Sequence, residues 1–319
     1  MAAASRQWSV YEEQGYLGVL GENERLAVRI VPARGGKIVS LVDKRTEREW
    51  IHRTERPWEP LRYGMNWGEG DRGGWDEMFP TIDACPCPDE PWRDESFPDH
   101  GEVWCMPWRH AIEEDGLRLE VEGVRVPYRL SKKVYLDAAG LRIEYRLSNP
   151  TPHSFSYLWA AHPLLRVSPG MRLLTEPERG RIQVAYSHRN RLGEPLTFAS
   201  YPEASAADGK SVVDLSVLES AESRAAEKYY FADPLREGYA AVADPDAHEA
   251  LAFRFSPEDT PYLAIWAHYG GFDDYTFAVE PASGYMDSVQ TAHRLGKAKR
   301  VEGGSENRWT LSVSLVSLD

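Results

Sequence analysis

Apolar and polar residues alternate with a period of two in several separate stretches of this chain: Leu26–Val31, Leu117–Val121, Leu141–Leu147, Leu251–Phe255 and Trp309–Leu315. A β-strand places every second side chain on one face, so each stretch predicts a half-buried strand. Turn-forming clusters separate them at short intervals, among them Ala33-Arg-Gly-Gly36, Asp137-Ala-Ala-Gly140, Asn149-Pro-Thr-Pro152 and Ser168-Pro-Gly170. Short connections join antiparallel strands, whereas parallel pairs need a long crossover. The expected class is therefore all-β with few short helices. Ser216 to Lys228, with its Ala, Glu and Leu content, is the segment best suited to a helix. Neither a linker nor an internal repeat divides the 319 residues, and residues 1–319 are read as one domain.

The formal net charge of −13 argues against a nucleic-acid partner, because a phosphate backbone would be repelled. No apolar run is long enough to span a bilayer, and the first residues lack the pattern of a secretory signal, so a cytoplasmic protein without a membrane partner is expected. The three cysteines, Cys85, Cys87 and Cys105, have neither disulfide-framework nor zinc-site spacing and are expected to be incidental loop thiols. A neutral small molecule suits the acidic surface better. The 11 Trp and 16 Tyr supply flat faces of the kind that stack on sugar C–H surfaces, although packing in a β-rich core accounts for most of them.

Residues 57–110 break the pattern. They are crowded with Pro, Gly, Asp and Trp, including Trp58, Trp67, Trp75, Trp92, Trp104 and Trp108. A long aromatic stretch without periodicity points to a functional loop region more than to a packing insertion.

Two ionisable residues interrupt apolar runs elsewhere. His162 lies in Tyr157-Leu-Trp-Ala-Ala-His-Pro-Leu-Leu165, and Glu280 in Tyr275-Thr-Phe-Ala-Val-Glu-Pro-Ala-Ser-Gly284. Each precedes a proline, which is expected to end the strand and fix the side chain there. A histidine among apolar residues is usually a satisfied core residue, but a glutamate is seldom buried without a partner or a task.

These residues, with the opening hairpin Pro32-Ala-Arg-Gly-Gly-Lys-Ile-Val-Ser-Leu-Val-Asp-Lys44 and Arg48-Glu-Trp50, resemble the galactose mutarotase-like superfamily of aldose 1-epimerases and hexose-6-phosphate mutarotases. Arg72-Gly-Gly74 with Phe79-Pro80, His100-Gly101, His162-Pro163, Glu280-Pro281 and the closing Glu306-Asn-Arg-Trp-Thr-Leu-Ser-Val313 follow in the family order. The resemblance implies a large antiparallel β-sandwich with its site in a cleft across one sheet. It also implies Glu280 as general base at the C1 hydroxyl of a sugar, His162 as general acid at the ring oxygen, and His100 and Arg72 as sugar-binding residues. Such a reaction demands neither metal nor organic cofactor.

Two departures bear on the substrate. Pro-Leu-Leu follows His162 in place of an aromatic ending, and the family's sugar-binding aspartate has no clear counterpart, with Glu227, Asp233, Tyr229 and Tyr230 as candidates. Trp67, Trp75, Trp159 and Trp266 are candidate stacking residues, and His268 a candidate lining residue. Asp273-Asp274 read as a hairpin turn. A non-catalytic carbohydrate-binding protein remains the principal alternative. A sugar-phosphate mutarotase would need clustered cations, for which Arg62, Arg72, Arg93 and Arg109 are candidates.

Overall fold

The computed structural model describes residues 7–138, 140–176 and 178–318. The reading of the N-terminus falls up to Arg6 outside the described residues, as does Ala139 of the expected 137–140 turn. The strands foreseen from alternation are present at Leu26–Val31, Leu117–Glu122, Gly140–Ser148, Glu249–Phe255 and Glu306–Ser317. Their apolar positions point inward, as at Leu117, Leu119 and Val121, while Arg118 and Glu122 face solvent. Among the described residues, a 12-stranded and an 8-stranded sheet pack face to face, with antiparallel pairing throughout the named strands. The fold is an all-β sandwich. No helix of the described residues is long and apolar enough to cross a membrane.

The core between the sheets is aromatic and contains a fully buried ion pair. Tyr145 stacks on Trp309, and Trp159 packs against both. Lys132 Nζ lies 2.9 Å from Glu77 Oε1 with both side chains fully buried. A buried pair is tolerable when its remaining polar capacity is satisfied. Here Tyr145 Oη and Trp159 Nε1 also donate to the Glu77 carboxylate, at 3.0 and 2.9 Å. The cysteines are buried and free. They pack within the irregular segment, and burial pushes the Cys87 thiol up to about 11.

Two sequence expectations fail here for identifiable reasons. The expected helix at 216–228 is replaced by a 3-10 turn, Ala221–Ser223, leading into a strand, Ala225–Phe231. That strand is buried along its whole length between two neighbours, and this pairing overrides the local helix preference. The α-helix among the described residues is Val289–Arg294, where the Ser288 side chain accepts a hydrogen bond from the Thr291 N–H.

Nor does either proline end its strand: Ala160–Leu165 runs through Pro163 and Tyr275–Ala282 through Pro281. These two strands pair at Ala160 with Ala282 and at Leu164 with Ala278, and the register is open between those rungs. Leu164 N–H points away from this seam, to Gly74 O, so by alternation Pro163 turns its missing N–H toward it. Ser283 N–H points into the seam, to Trp159 O, so Pro281 turns its missing N–H there from the other side. The prolines remove ladder bonds on the edge the two strands share.

Candidate functional site

The outer face of the larger sheet carries the candidate residues, and the pairing registers fix which of them meet. His162 stands opposite Asp76 of strand Trp75–Met78. Glu280 stands opposite Ala264 of strand Tyr262–Tyr269, Ala264 opposite Tyr230, and Tyr230 opposite Gln183 of strand Gly180–Ser187. The rungs Ala160–Ala282 and Leu164–Ala278 place His162 facing Glu280 midway between them. One line of side chains, from Asp76 through His162, Glu280, Ala264 and Tyr230 to Gln183, therefore crosses six strands. The next line holds Leu164, Ala278, Trp266, Lys228 and Tyr186. Ala264 and Ala278 keep the floor low between Glu280 and Lys228.

His162 is held from the Asp76 side. Its Nδ1 lies 2.9 Å from Asp76 Oδ1, and Trp67 Nε1 donates to Asp76 Oδ2 at 2.9 Å. Lys37 Nζ is 3.6 Å from the same carboxylate and 2.8 Å from Asp71. Burial alone would raise the Asp76 pKa, but the hydrogen bond from His162 and the Lys37 charge outweigh it and hold the carboxyl well below its ordinary range. Asp76 is thus ionised and can only accept, so His162 Nδ1 donates to it. The Nε2 nitrogen is then the one that exchanges a proton with a ligand.

Glu280 is fully buried. Lys228 Nζ lies 2.8 Å from Glu280 Oε2 and 3.2 Å from Asp287 Oδ1, and Tyr230 Oη donates to Asp287 at 2.7 Å. Burial opposes the Lys228 charge, yet the Asp287 and Glu280 carboxylates raise its pKa and keep it an ammonium. Glu280 Oε1 has no hydrogen-bond partner among the described residues. A buried carboxylate oxygen left open in this way is suited to accept from a ligand hydroxyl.

The irregular segment covers the pair. The Trp67 ring meets His162 edge-on at 5.1 Å and stacks on His100 at 5.2 Å, and the two imidazoles are 5.4 Å apart. His100 Nδ1 is 3.0 Å from Asp99, which also accepts from the Trp67 backbone N–H. Gly101 follows at φ +72°, where an added Cβ would lie 2.1 Å from Phe79 O, so only glycine lets this loop approach. His100 and Arg72 are themselves left-handed, at φ 57° and 56°. Non-glycine residues are rarely held so, and such conformations cluster at ligand sites.

The remaining candidates divide. Arg72 Nε donates to Gly68 O and lines a cavity with His52, Thr54 and Asp274 at the His268 end of the face. His268 accepts from the Phe272 N–H through Nε2, and burial, together with the charges of Arg72 and other histidines, lowers its pKa. Trp266 is half-buried on the face. Trp75 and Trp159 are corrections: both are fully buried in the core between the sheets, because each sits an odd number of residues from Asp76 or His162 and so points the other way.

Among the candidates for the missing acid, Glu227 and Tyr229 also face inward, Asp233 lies beyond the strand, and Tyr230 is on the face. The charged residue this strand presents there is Lys228, which sequence reasoning missed along with Asp76 and Asp287. Lys228 was detectable as a cation within an apolar run, Ala225–Phe231. The arginines that a sugar-phosphate reading would need are not brought together: Arg93 is exposed beside Glu90, Arg109 is on the other sheet paired with Glu120 and Glu122, and Arg62 is exposed.

No protein-family model and no curated protein matches this sequence. Solved structures do match its fold. A Synechocystis protein is 18% identical with TM-score 0.67, covering 99% of this chain and 100% of its own. A galactose mutarotase-like protein from Lactobacillus casei is 18% identical with TM-score 0.62, covering 94% and 100%. A galactose mutarotase-like protein from Clostridium acetobutylicum is 12% identical with TM-score 0.67, covering 98% of each chain. The chain has the galactose mutarotase-like fold.

Proposed function

We propose that this protein is an isomerase of the aldose 1-epimerase type, interconverting the anomers of a small sugar. The observation that carries this reading is the placement of His162 and Glu280 face to face on adjacent strands, with the Asp76 carboxylate fixing the imidazole. Glu280 takes the proton of the C1 hydroxyl as His162, charged and held by Asp76, gives a proton to the ring oxygen. The bond between C1 and the ring oxygen breaks as the C1 carbonyl forms. Rotation about C1–C2 and the reverse transfers close the ring on the other face. Proton transfer by two positioned groups is sufficient for this cycle. His100 and Arg72 orient sugar hydroxyls, with Arg72 at the end of the face near His268. Lys228 supplies a fixed counter-charge to Glu280 whether or not the proton has moved.

Exchange spectroscopy by NMR on free and phosphorylated aldoses tests the proposal. Enzyme should accelerate exchange between the anomeric signals of at least one sugar. Binding without acceleration across the panel replaces this reading with that of a carbohydrate-binding protein.

A further inference from the structure

A second feature of the same face plays no part in the proton transfers. Tyr186, Trp266 and Phe272 form a continuous aromatic shelf, with Tyr186 6.2 Å from Trp266 and 6.1 Å from Phe272 between ring centroids. Tyr186 is 38% and Phe272 44% exposed. The rings are tilted to one another by 40–49°, so they do not use up their flat faces on each other. Two local devices put them there. A bulge between Val184 and Tyr186 shifts the register with the Lys228 strand, and this brings Tyr186 onto the face beside Trp266. His268, by accepting from the Phe272 N–H, pins the hairpin tip that carries Phe272.

The shelf continues the site. Trp266 lies on the strand next to Glu280, one rung toward His268. Ordinary sheet spacings put it roughly 8 Å from Glu280, about one sugar ring away. Tyr186 lies two strands further along the same rung.

We propose that this shelf is a second sugar-ring subsite, and that the preferred ligand is the reducing end of a disaccharide or longer saccharide. The reducing ring sits between His162 and Glu280, and the ring linked to it away from C1 stacks on Trp266, Tyr186 and Phe272. The proposal rests on the acid/base reading for the seat of the reducing ring. Apolar ring faces bordered by polar groups, here Lys228 and His188, match the alternating C–H and hydroxyl surface of a pyranose.

The test compares glucose with cellobiose, maltose and lactose, by calorimetric binding and by anomeric exchange rate, in the wild type and in the Tyr186→Ala and Phe272→Ala variants. At least one disaccharide should bind more tightly than glucose. Each variant should reduce that preference several-fold, up to roughly tenfold for the loss of one stacked ring. Equal affinity for glucose and all three disaccharides, or a preference that survives both variants, overturns the shelf even if exchange is accelerated. A preference abolished by the variants, with no acceleration for any sugar, upholds the shelf and removes the epimerase reading.

Discussion

Replacing Asp76 by asparagine separates the role of His162 from mere packing. The carboxylate receives Trp67 Nε1 on Oδ2, with Lys37 3.6 Å from that same oxygen, and His162 Nδ1 on Oδ1. An amide of the same shape has one oxygen, and the two donors on the Oδ2 side dictate that it faces Trp67 and Lys37. The amide NH2 then faces His162 Nδ1 and forces the ring proton onto Nε2. The variant loses both the partner that stabilises the imidazolium and the tautomer that takes a proton at Nε2. Exchange should slow by about 10²–10⁴-fold, the range for a disabled acid/base group. Lys37 keeps Asp71 at 2.8 Å and Gly73 O at 2.9 Å, so the charge left behind is still paired. The stability loss should be about 1–3 kcal/mol, as for weakened hydrogen bonds to a charged group. Anomeric exchange NMR gives the rate, 15N shifts of the imidazole give the tautomer, and urea denaturation gives the stability. An Asp76→Asn protein that exchanges anomers within about threefold of wild type, with the tautomer switched, refutes the assignment of His162 as the general acid.

Glu280→Gln should lower the exchange rate by on the order of a hundredfold or more while the protein stays folded, because Lys228 retains Asp287 at 3.2 Å; near-normal activity sinks the base assignment. Glu227 gives a pH prediction. Burial raises its pKa from 4.5 to about 7, against the pull of Ser187 and Arg191. A carboxyl raised in the folded state contributes stability below its unfolded pKa and loses it as pH rises through the folded one. Stability should therefore fall between pH 4.5 and 7 by up to about 3 kcal/mol from this group. Glu227→Gln should flatten that slope and be the more stable protein at pH 8; equal denaturant midpoints for the two proteins at pH 5 and at pH 8 would contradict this.

The strands were legible because alternation needs only the chain itself and one buried face. Leu117–Glu122 and Glu306–Ser317 lie within a residue or a few of where the pattern put them. His162 and Glu280 stood out for a related reason, as ionisable residues in runs that are otherwise apolar. What alternation cannot show is the register between distant strands. Lys228 meets Glu280 only because strand Tyr262–Tyr269 aligns Trp266 with Lys228 and Ala264 with Glu280. No short-range signal carries that. Local parity was available for one of the two misplaced tryptophans: Trp159 is three residues from His162 and so points into the core, while Trp266 and His268 share a face. For Trp75 the reference residue is Asp76, whose place on the site face appears only once the strands are paired.

The prolines show how a local signal was correct in kind and wrong in consequence. Each was expected to stop a strand, since proline lacks an N–H and cannot sit in a regular ladder. Both strands continue because the lost bonds fall on one shared edge, flanked by the intact rungs Ala160–Ala282 and Leu164–Ala278. Pairing on the outer edges is kept: Pro163 still lies opposite Trp75, and Pro281 opposite Leu263. A seam relieved of its ladder bonds at one point need not hold the usual strand spacing there. That point is where His162 and Glu280 face each other and where the proposed reaction requires a sugar ring to lie against both side chains.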